Sequence, residues 1–157
     1  MTERERALEI YEMCCRTLDE NDWKYERREE DLVILLKVQG EDIPLNMIIR
    51  VTEKKSVLQF ICVLPFKFSE EKRVEGALAV SIANYGMING SFDFDLNDGE
   101  IRFRLTQSYE KDNSISPELF LLLMGLALGT TDKYDDRFFA LEKDLLSLED
   151  FAKKDRE

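Results

Sequence analysis

Residues 69–110 read SEEKRVEGALAVSIANYGMINGSFDFDLNDGEIRFRLTQSYE, a helical pattern followed at once by two alternating strands. The helical part repeats apolar residues at spacings of three and four, as in an amphipathic helix whose apolar stripe normally faces the core. That stripe consists of Val74, Ala77, Leu78, Ser81, Ile82 and Tyr85. Beyond it, apolar and polar residues alternate on both sides of a turn that contains Asp98-Gly99. This pattern predicts a β-hairpin that directly follows the helix.

The composition is that of one acidic domain. The chain has 157 residues, which suits a single domain, and its 33 acidic against 22 basic residues give a formal net charge of −11. Such a charge is repelled by phosphate backbones and anionic membranes, and it favours basic partners. The longest apolar run, residues 119–128, is far too short to span a bilayer. We therefore expect neither nucleic acid nor a membrane among the partners.

The residue types argue against catalysis. The chain has no histidine, which removes the commonest general base and the commonest metal ligand. Glycine-rich phosphate-binding loops are absent from the sequence. The three cysteines, Cys14, Cys15 and Cys62, lack metal-ligand spacing, and the N-terminus lacks the features of a signal peptide. We therefore expect a cytoplasmic protein with buried, reduced thiols and with no enzymatic activity, cofactor or metal site.

One acidic segment resembles half of a calcium-binding loop. It begins at Asp93 and continues through Asp95 and Asn97. An EF-hand loop counted from Asp93 would need glycine where Asp98 stands and glutamate where Arg104 stands. The phenylalanines between the acids also require a strand, so we interpret the segment as a plain hairpin turn.

Four strands are predicted between the first helix, which begins at Thr2, and residue 69. Short connections between them favour an antiparallel meander. Their second faces are apolar as well, at Val33, Leu35, Ile48, Val57, Ile61 and Val63. Because a sheet with one solvated face alternates more cleanly, we expect part of this face to be covered, either by a helix of the chain or by another subunit. The plain alternative is that β propensity alone placed these residues there.

Two helices are predicted after the hairpin. Residues 111–114 are expected to form a loop, and Ser116-Pro117 is a strong start for a buried helix that ends at Gly129. A last, amphipathic helix is predicted over residues 132–157, with acids at its beginning and bases at its end.

Three aromatic residues lie near the start of that last helix: Tyr134, Phe138 and Phe139. They are candidates for interface anchors, because aromatic side chains dominate many protein interfaces. Core packing is the more common role of phenylalanines at helical spacing.

Several of these segments resemble the YbjN family. The resemblance is carried by Asn84–Phe94 (NYGMINGSFDF), Asp98–Arg104 (DGEIRFR), Trp23–Glu26 (WKYE) and Tyr134, and it spans residues 1–151. Members of this family are described as bacterial sensory transduction regulators. Their fold resembles that of class I type III secretion chaperones, which are small acidic α+β proteins, commonly homodimers, that bind an extended segment of a partner protein. The resemblance implies no catalytic residues.

Together these observations predict a single α+β domain over residues 1–157, with an antiparallel sheet in the order α-β-β-β-β-α-β-β-α-α and a type III secretion chaperone-like fold. We expect a non-enzymatic, cytoplasmic, protein-binding or regulatory module that acts as a homodimer. The residues predicted to contact a partner or a second subunit are Val33, Leu35, Ile48, Val57, Ile61, Val63, Tyr134, Phe138 and Phe139.

Two other functions remain as alternatives. The first is a small-molecule-sensing regulatory domain with a pocket between helices and sheet. The second is an enzyme that uses carboxylates or Cys62, and an unreactive Cys62 would count against it.

Overall fold

The order of helices and strands matches the predicted order. A computed structural model describes residues 1–110 and 115–156, so the loop predicted at residues 111–114 lies outside the described residues. The helices are α1 (Glu3–Glu20), α2 (Arg73–Tyr85), α3 (Pro117–Glu142) and α4 (Leu148–Arg156). The strands are β1 (Glu26–Arg28), β2 (Val33–Gln39), β3 (Pro44–Thr52), β4 (Val57–Lys67), β5 (Ser91–Phe94) and β6 (Glu100–Ser108). The α+β class predicted from the sequence is confirmed.

All six strands form one antiparallel sheet in the order β1-β2-β3-β4-β6-β5. The first four strands follow the chain as a meander, and the hairpin β5–β6 joins with β6 beside β4. Gly99 gives the hairpin its tight turn, because its φ of +79° lies in the region that side chains disfavour. The predicted hairpin is therefore present, and it extends the meander by two strands.

The four helices pack on one face of the sheet and share one hydrophobic core. Strands β2 to β6 contribute alternate residues to this core, and its centre is formed by Ile34, Met47, Phe60 and Phe103. Phe120 of α3 lies against Phe60, with ring centroids 5.7 Å apart. Across residues 1–110 and 115–156, the molecule is consequently a two-layer structure, with helices on one side of the sheet only.

The opposite face of the sheet carries the second set of apolar residues, and it is open. Val33, Leu35, Ile48, Val57 and Val63 are partly buried and Ile61 is buried, yet none of the six belongs to the helix-facing core. In the described residues, no helix packs on this face, so an intramolecular cover is excluded there. A second subunit and simple β propensity are the explanations that remain.

Helix α2 is rotated about its axis, so that a different face packs on the sheet from the one that its apolar pattern predicts. Its buried residues are Gly76, Ala79, Val80 and Ala83, whereas Val74, Leu78 and Tyr85 from the predicted apolar stripe are exposed. The reason is steric. A Cβ atom at Gly76 would lie 2.7 Å from Phe94 and 2.8 Å from Phe68, so only a face of small residues can approach the sheet so closely.

Helix α3 continues through the position where we expected it to end. The predicted break at Gly129 and the helix start near residue 132 were wrong, because α3 is continuous to Glu142. A Cβ atom at Gly129 would meet no atom of the rest of the protein within 4 Å, so glycine at this position costs the helix only about 1 kcal/mol relative to alanine. Asp132, which we assigned to a first turn, instead accepts a hydrogen bond from the Glu41 backbone amide.

Candidate functional site

Helix α2 turns three of its large apolar side chains to solvent. Val74 is 73% exposed, Leu78 49%, and Tyr85 96%, and Ile88 just beyond the helix is 96% exposed. We call these four residues the α2 stripe. Scattered single apolar residues are normal on a protein surface, but a row of three along one helix that continues at Ile88 is typical of a contact site.

Besides the close approach at Gly76, one side chain anchors the end of α2 in this orientation. Asn84 Nδ2 donates to the Phe92 carbonyl at 2.9 Å, and Asn84 Oδ1 accepts from the Phe92 amide at 2.7 Å. These two bonds attach the end of α2 to strand β5. The α2 stripe therefore faces outward as a consequence of the fold.

A cleft continues the α2 stripe. It has a volume of about 350 Å³ and opens between the end of α2, helix α3 and helix α4. Ile88 lies on one side of it, and Leu126 and Tyr134 lie on the other. A concave site beside exposed apolar side chains is where an inserted side chain of a partner gains most burial.

The open sheet face has an apolar centre with charged surroundings. Across the three neighbouring strands β2, β3 and β4, Leu35 pairs with Ile48 and Ile48 with Ile61, and the row is flanked by Glu26 of β1 on one side and Arg104 of β6 on the other. We use the name sheet patch for the six residues Val33, Leu35, Ile48, Val57, Ile61 and Val63. Because paired residues on neighbouring strands point to the same side of the sheet, these six side chains lie together on one surface.

Basic residues outnumber acidic residues on this open face. The charged residues that share its register are Arg28, Lys37, Arg50, Lys67, Arg102, Arg104, Glu26, Asp93 and Glu100. Six of these are basic, in a chain where acids dominate by 33 to 22. The acidic character of the protein therefore belongs to its other surfaces.

Asp93 connects two of those arginines. Its carboxylate accepts hydrogen bonds from Arg102 Nε at 3.1 Å and from Arg104 Nε at 2.9 Å and Nη2 at 3.1 Å. The hydrogen bonds from Arg104 hold the pKa of Asp93 below its usual range, and Arg102 adds to the effect. This geometry is a structural ion-pair cluster, and it confirms that the residues around Asp93 form a hairpin.

The three aromatic residues predicted as contacts have different positions. Tyr134 and Phe138 are buried among Phe92 and Phe151, as expected of core residues, and they offer a partner almost no surface. Phe139 is 38% exposed and lies edge-on to the Phe66 ring at 5.4 Å. Of the three, Phe139 alone presents substantial surface to solvent.

Phe139 borders an apolar groove between α3 and the sheet. The groove has a volume of about 420 Å³ and is formed by Ile43, Pro44, Pro65, Phe66, Phe139, Asp42 and Asp136. The groove lies between helix α3 and the sheet. Apolar walls with a few acidic groups would suit a ligand with an apolar body and a positive charge.

Acidic oxygens meet at one end of this groove. Asp42, Asp135 and Asp136 each place one carboxylate oxygen within 4.8 Å of the others. Asp135 is fully buried, and burial raises its pKa to about 7, with the negative neighbours Asp132, Asp136 and Asp42 adding to the shift.

The cysteines do not form a reactive site. Cys14, Cys15 and Cys62 are buried free thiols. Burial raises the pKa of Cys62 to about 11, and it raises the pKa of Cys14 and of Cys15 as well. A thiol with so high a pKa is a poor nucleophile at neutral pH, which weakens the hypothesis of a Cys62 enzyme.

Across residues 1–110 and 115–156, no helix combines the length and the apolar character that crossing a bilayer requires.

Sequence reasoning missed the α2 stripe and the aspartate cluster. A signal for the stripe was available, because residues 76–92 contain no charged side chain in a chain that is 35% charged. No comparable signal marked Asp135, since three acids spaced along a helix are normally solvated.

Comparison with known proteins gives one family and one fold. The model of the YbjN family, described as "Putative bacterial sensory transduction regulator", matches residues 11–140. Among solved structures, the chain is similar to the crystal structure of YbjN from E. coli, described as "a putative transcription regulator". The TM-score is 0.64 at 10% sequence identity, over 85% of this chain and 92% of that one. No curated protein matches the sequence.

Proposed function

The chain belongs to the YbjN family, and on that premise we propose that it is a non-enzymatic regulatory adaptor that acts through protein contacts as a homodimer. The observation that carries the proposal is the outward orientation of the α2 stripe. Val74, Leu78 and Tyr85 expose large apolar side chains, whereas the inward face of the same helix is formed by Gly76, Ala79, Val80 and Ala83. Burial of such surface in a complex is favourable by about 25 cal/mol per Å².

A second copy of the chain suits the α2 stripe. The spacing along α2 is the same in both directions, with four, three and four residues separating Val74, Leu78, Ser81 and Tyr85. This is the spacing of a coiled-coil seam. In an antiparallel pair of α2 helices, Val74 would lie opposite Tyr85 of the second copy, and Leu78 opposite Ser81. The interface would be self-complementary, as a two-fold dimer requires.

Electrostatics also favour a second copy at this site. Two molecules that each carry a net charge of −11 repel one another over most of their surfaces. Residues 76–92 carry no charge, so contact along this segment brings no like charges together. The charged residues of α2 lie at its N-terminal end and would face the uncharged end of the other helix.

The sheet patch remains the predicted contact for a protein partner. Its apolar centre and its excess of basic residues would suit an extended segment with apolar and acidic side chains. This is the capture of an extended segment that the likeness to type III secretion chaperones implies. We place the adaptor in the cytoplasm, where its three free thiols would stay reduced.

The homodimer is tested by light scattering over a range of concentrations. We expect the wild-type chain to have twice the monomer mass and Leu78→Glu to have the monomer mass. Leu145→Glu is the matched control, because Leu145 is 76% exposed but lies outside α2, and we expect it to stay dimeric. A monomeric wild-type chain, or a dimeric Leu78→Glu variant, would contradict the α2 interface.

The partner contact is tested with a photo-crosslinking amino acid at position 48, in the centre of the sheet patch. We expect crosslinked partner segments to be rich in apolar and acidic residues. The same amino acid at Leu145 is the control, and basic segments at position 48 would contradict the proposal.

A small-molecule sensor is the second candidate, and the groove beside Phe139 favours it. A metabolite screen by thermal unfolding tests this function, because a ligand that binds only the folded chain raises the melting temperature. We expect a true ligand of the groove to lose its effect in Phe139→Ala. A screen without any stabilising compound would count against the sensor.

A further inference from the structure

Three aspartates from two separate segments converge beside α3. Asp42 belongs to the turn between β2 and β3, and Asp135 and Asp136 belong to α3. One oxygen of each carboxylate lies within 4.8 Å of the other two. Three negative groups this close together repel each other unless a cation or a proton lies among them.

Asp135 provides an independent indication of a ligand. Its residue surface is 0% exposed, and its Oδ1 accepts from the Asp136 amide at 2.6 Å. Its Oδ2 is buried without a hydrogen-bond donor in the described parts of the chain. Buried carboxylate oxygens are normally satisfied by donors or by metal ions, so this oxygen requires a partner.

The turn is held against the helix by a fourth aspartate. Asp132 Oδ1 accepts from the Glu41 amide at 3.0 Å, which places Asp42 next to the helix. Gly40 permits this approach, because a Cβ atom there would collide with the Asp132 carboxylate. The position of Asp42 relative to Asp135 is therefore set by a hydrogen bond from the turn's backbone to the Asp132 side chain.

We propose that Asp42, Asp135 and Asp136 bind a hard divalent cation of the calcium class. The three groups offer carboxylate oxygens only, which hard cations prefer, whereas zinc and copper favour imidazole and thiolate ligands. Calcium accepts several carboxylates in a flexible geometry, whereas magnesium usually keeps several waters and binds one or two carboxylates, so three carboxylate oxygens within 4.8 Å of one another favour calcium. The bound ion joins the β2–β3 turn to α3 at the edge of the groove beside Phe139.

The test compares thermal unfolding of the full chain in chelator and in calcium chloride, together with calorimetric titration of calcium. Asp42→Asn and Asp136→Asn each remove one exposed ligand and should fold normally. Glu41→Gln is the matched control, since it removes the same charge from the same turn but lies outside the cluster. Sodium chloride at equal ionic strength controls for screening.

We expect calcium to raise the melting temperature of the wild-type chain and of Glu41→Gln. The two aspartate variants should lose most of this shift and bind calcium about tenfold or more weakly. In chelator the two aspartate variants should have higher melting temperatures than the wild-type chain, because removal of one acid relieves the repulsion among the three. An equal calcium shift in all four proteins, no titration heat, or an equal shift in magnesium would overturn the proposal.

Discussion

Asn84 and Phe92 are joined by a pair of hydrogen bonds, in which the Asn84 side-chain amide both donates to and accepts from the Phe92 backbone. The pair connects the last turn of α2 to the edge strand β5, and it requires a donor and an acceptor on the same side chain. An aspartate has the same shape but two acceptor oxygens, so one of them would face the Phe92 carbonyl.

Asn84→Asp is therefore expected to lower the free energy of unfolding by about 2 kcal/mol. Urea denaturation of the variant and of the wild type measures this difference. Asn89→Asp is the control, because Asn89 is exposed, and it should change the stability little. Equal losses in the two variants would show that the added charge, and not the lost donor, is responsible.

Gly76→Ala tests why α2 is rotated. A Cβ atom there would lie 2.7 Å from Phe94 and 2.8 Å from Phe68, and relief of these contacts should cost about 1–3 kcal/mol. Alanine normally stabilises a helix by about 1 kcal/mol over glycine. Gly129→Ala, which has no neighbour within 4 Å, should show that gain. Denaturation should show a lower free energy of unfolding for Gly76→Ala and a higher one for Gly129→Ala. A stabilised Gly76→Ala variant would contradict the steric explanation.

The ion-pair cluster around Asp93 predicts a pH dependence. Its pKa is lowered in the folded chain, so its contribution is present above the unfolded pKa of about 3.9 and is lost as pH falls through the folded pKa. Asp93→Asn should lower the free energy of unfolding by about 1 kcal/mol at neutral pH, since the partly exposed pairs are screened by solvent. Denaturation at several pH values measures this loss, which should shrink in acid. A loss that is independent of pH would show that the ion pairs of Asp93 are not its cause.

The buried thiols predict slow labelling. Because burial raises the pKa of Cys14, Cys15 and Cys62, a thiol-specific reagent should leave the folded chain unmodified at neutral pH. In denaturant, three thiols per chain should react. Rapid modification of one thiol in the folded chain would reopen the possibility of Cys62 chemistry.

The order of elements could be predicted because its signals are local. The alternation around Phe92 and Phe103 and the Asp98-Gly99 turn fix the hairpin without information from the rest of the chain. The same alternation predicts that the six residues of the sheet patch lie on one face of the sheet.

The orientation of α2 could not be predicted, because it depends on residues distant in sequence. The apolar pattern assigns Val74 and Leu78 to the core by size, but the space beside Phe68 and Phe94 accepts only small residues. The burial of Asp135 was missed for a related reason. It depends on how the β2–β3 turn lies against α3, and no short segment of the sequence encodes that contact.

The position of β6 between β4 and β5 affects how the chain folds. The β1–β4 meander joins residues close in sequence, whereas Val57 pairs with Ser108, about fifty positions away. Closing a loop of that length is entropically unfavourable until the pairing is made, so such contacts slow folding. We expect the meander to form first and α2 to join later together with the hairpin. Until then, the core face of β4 and the surfaces of α2 would be exposed together, and aggregation should compete with folding most strongly at this stage.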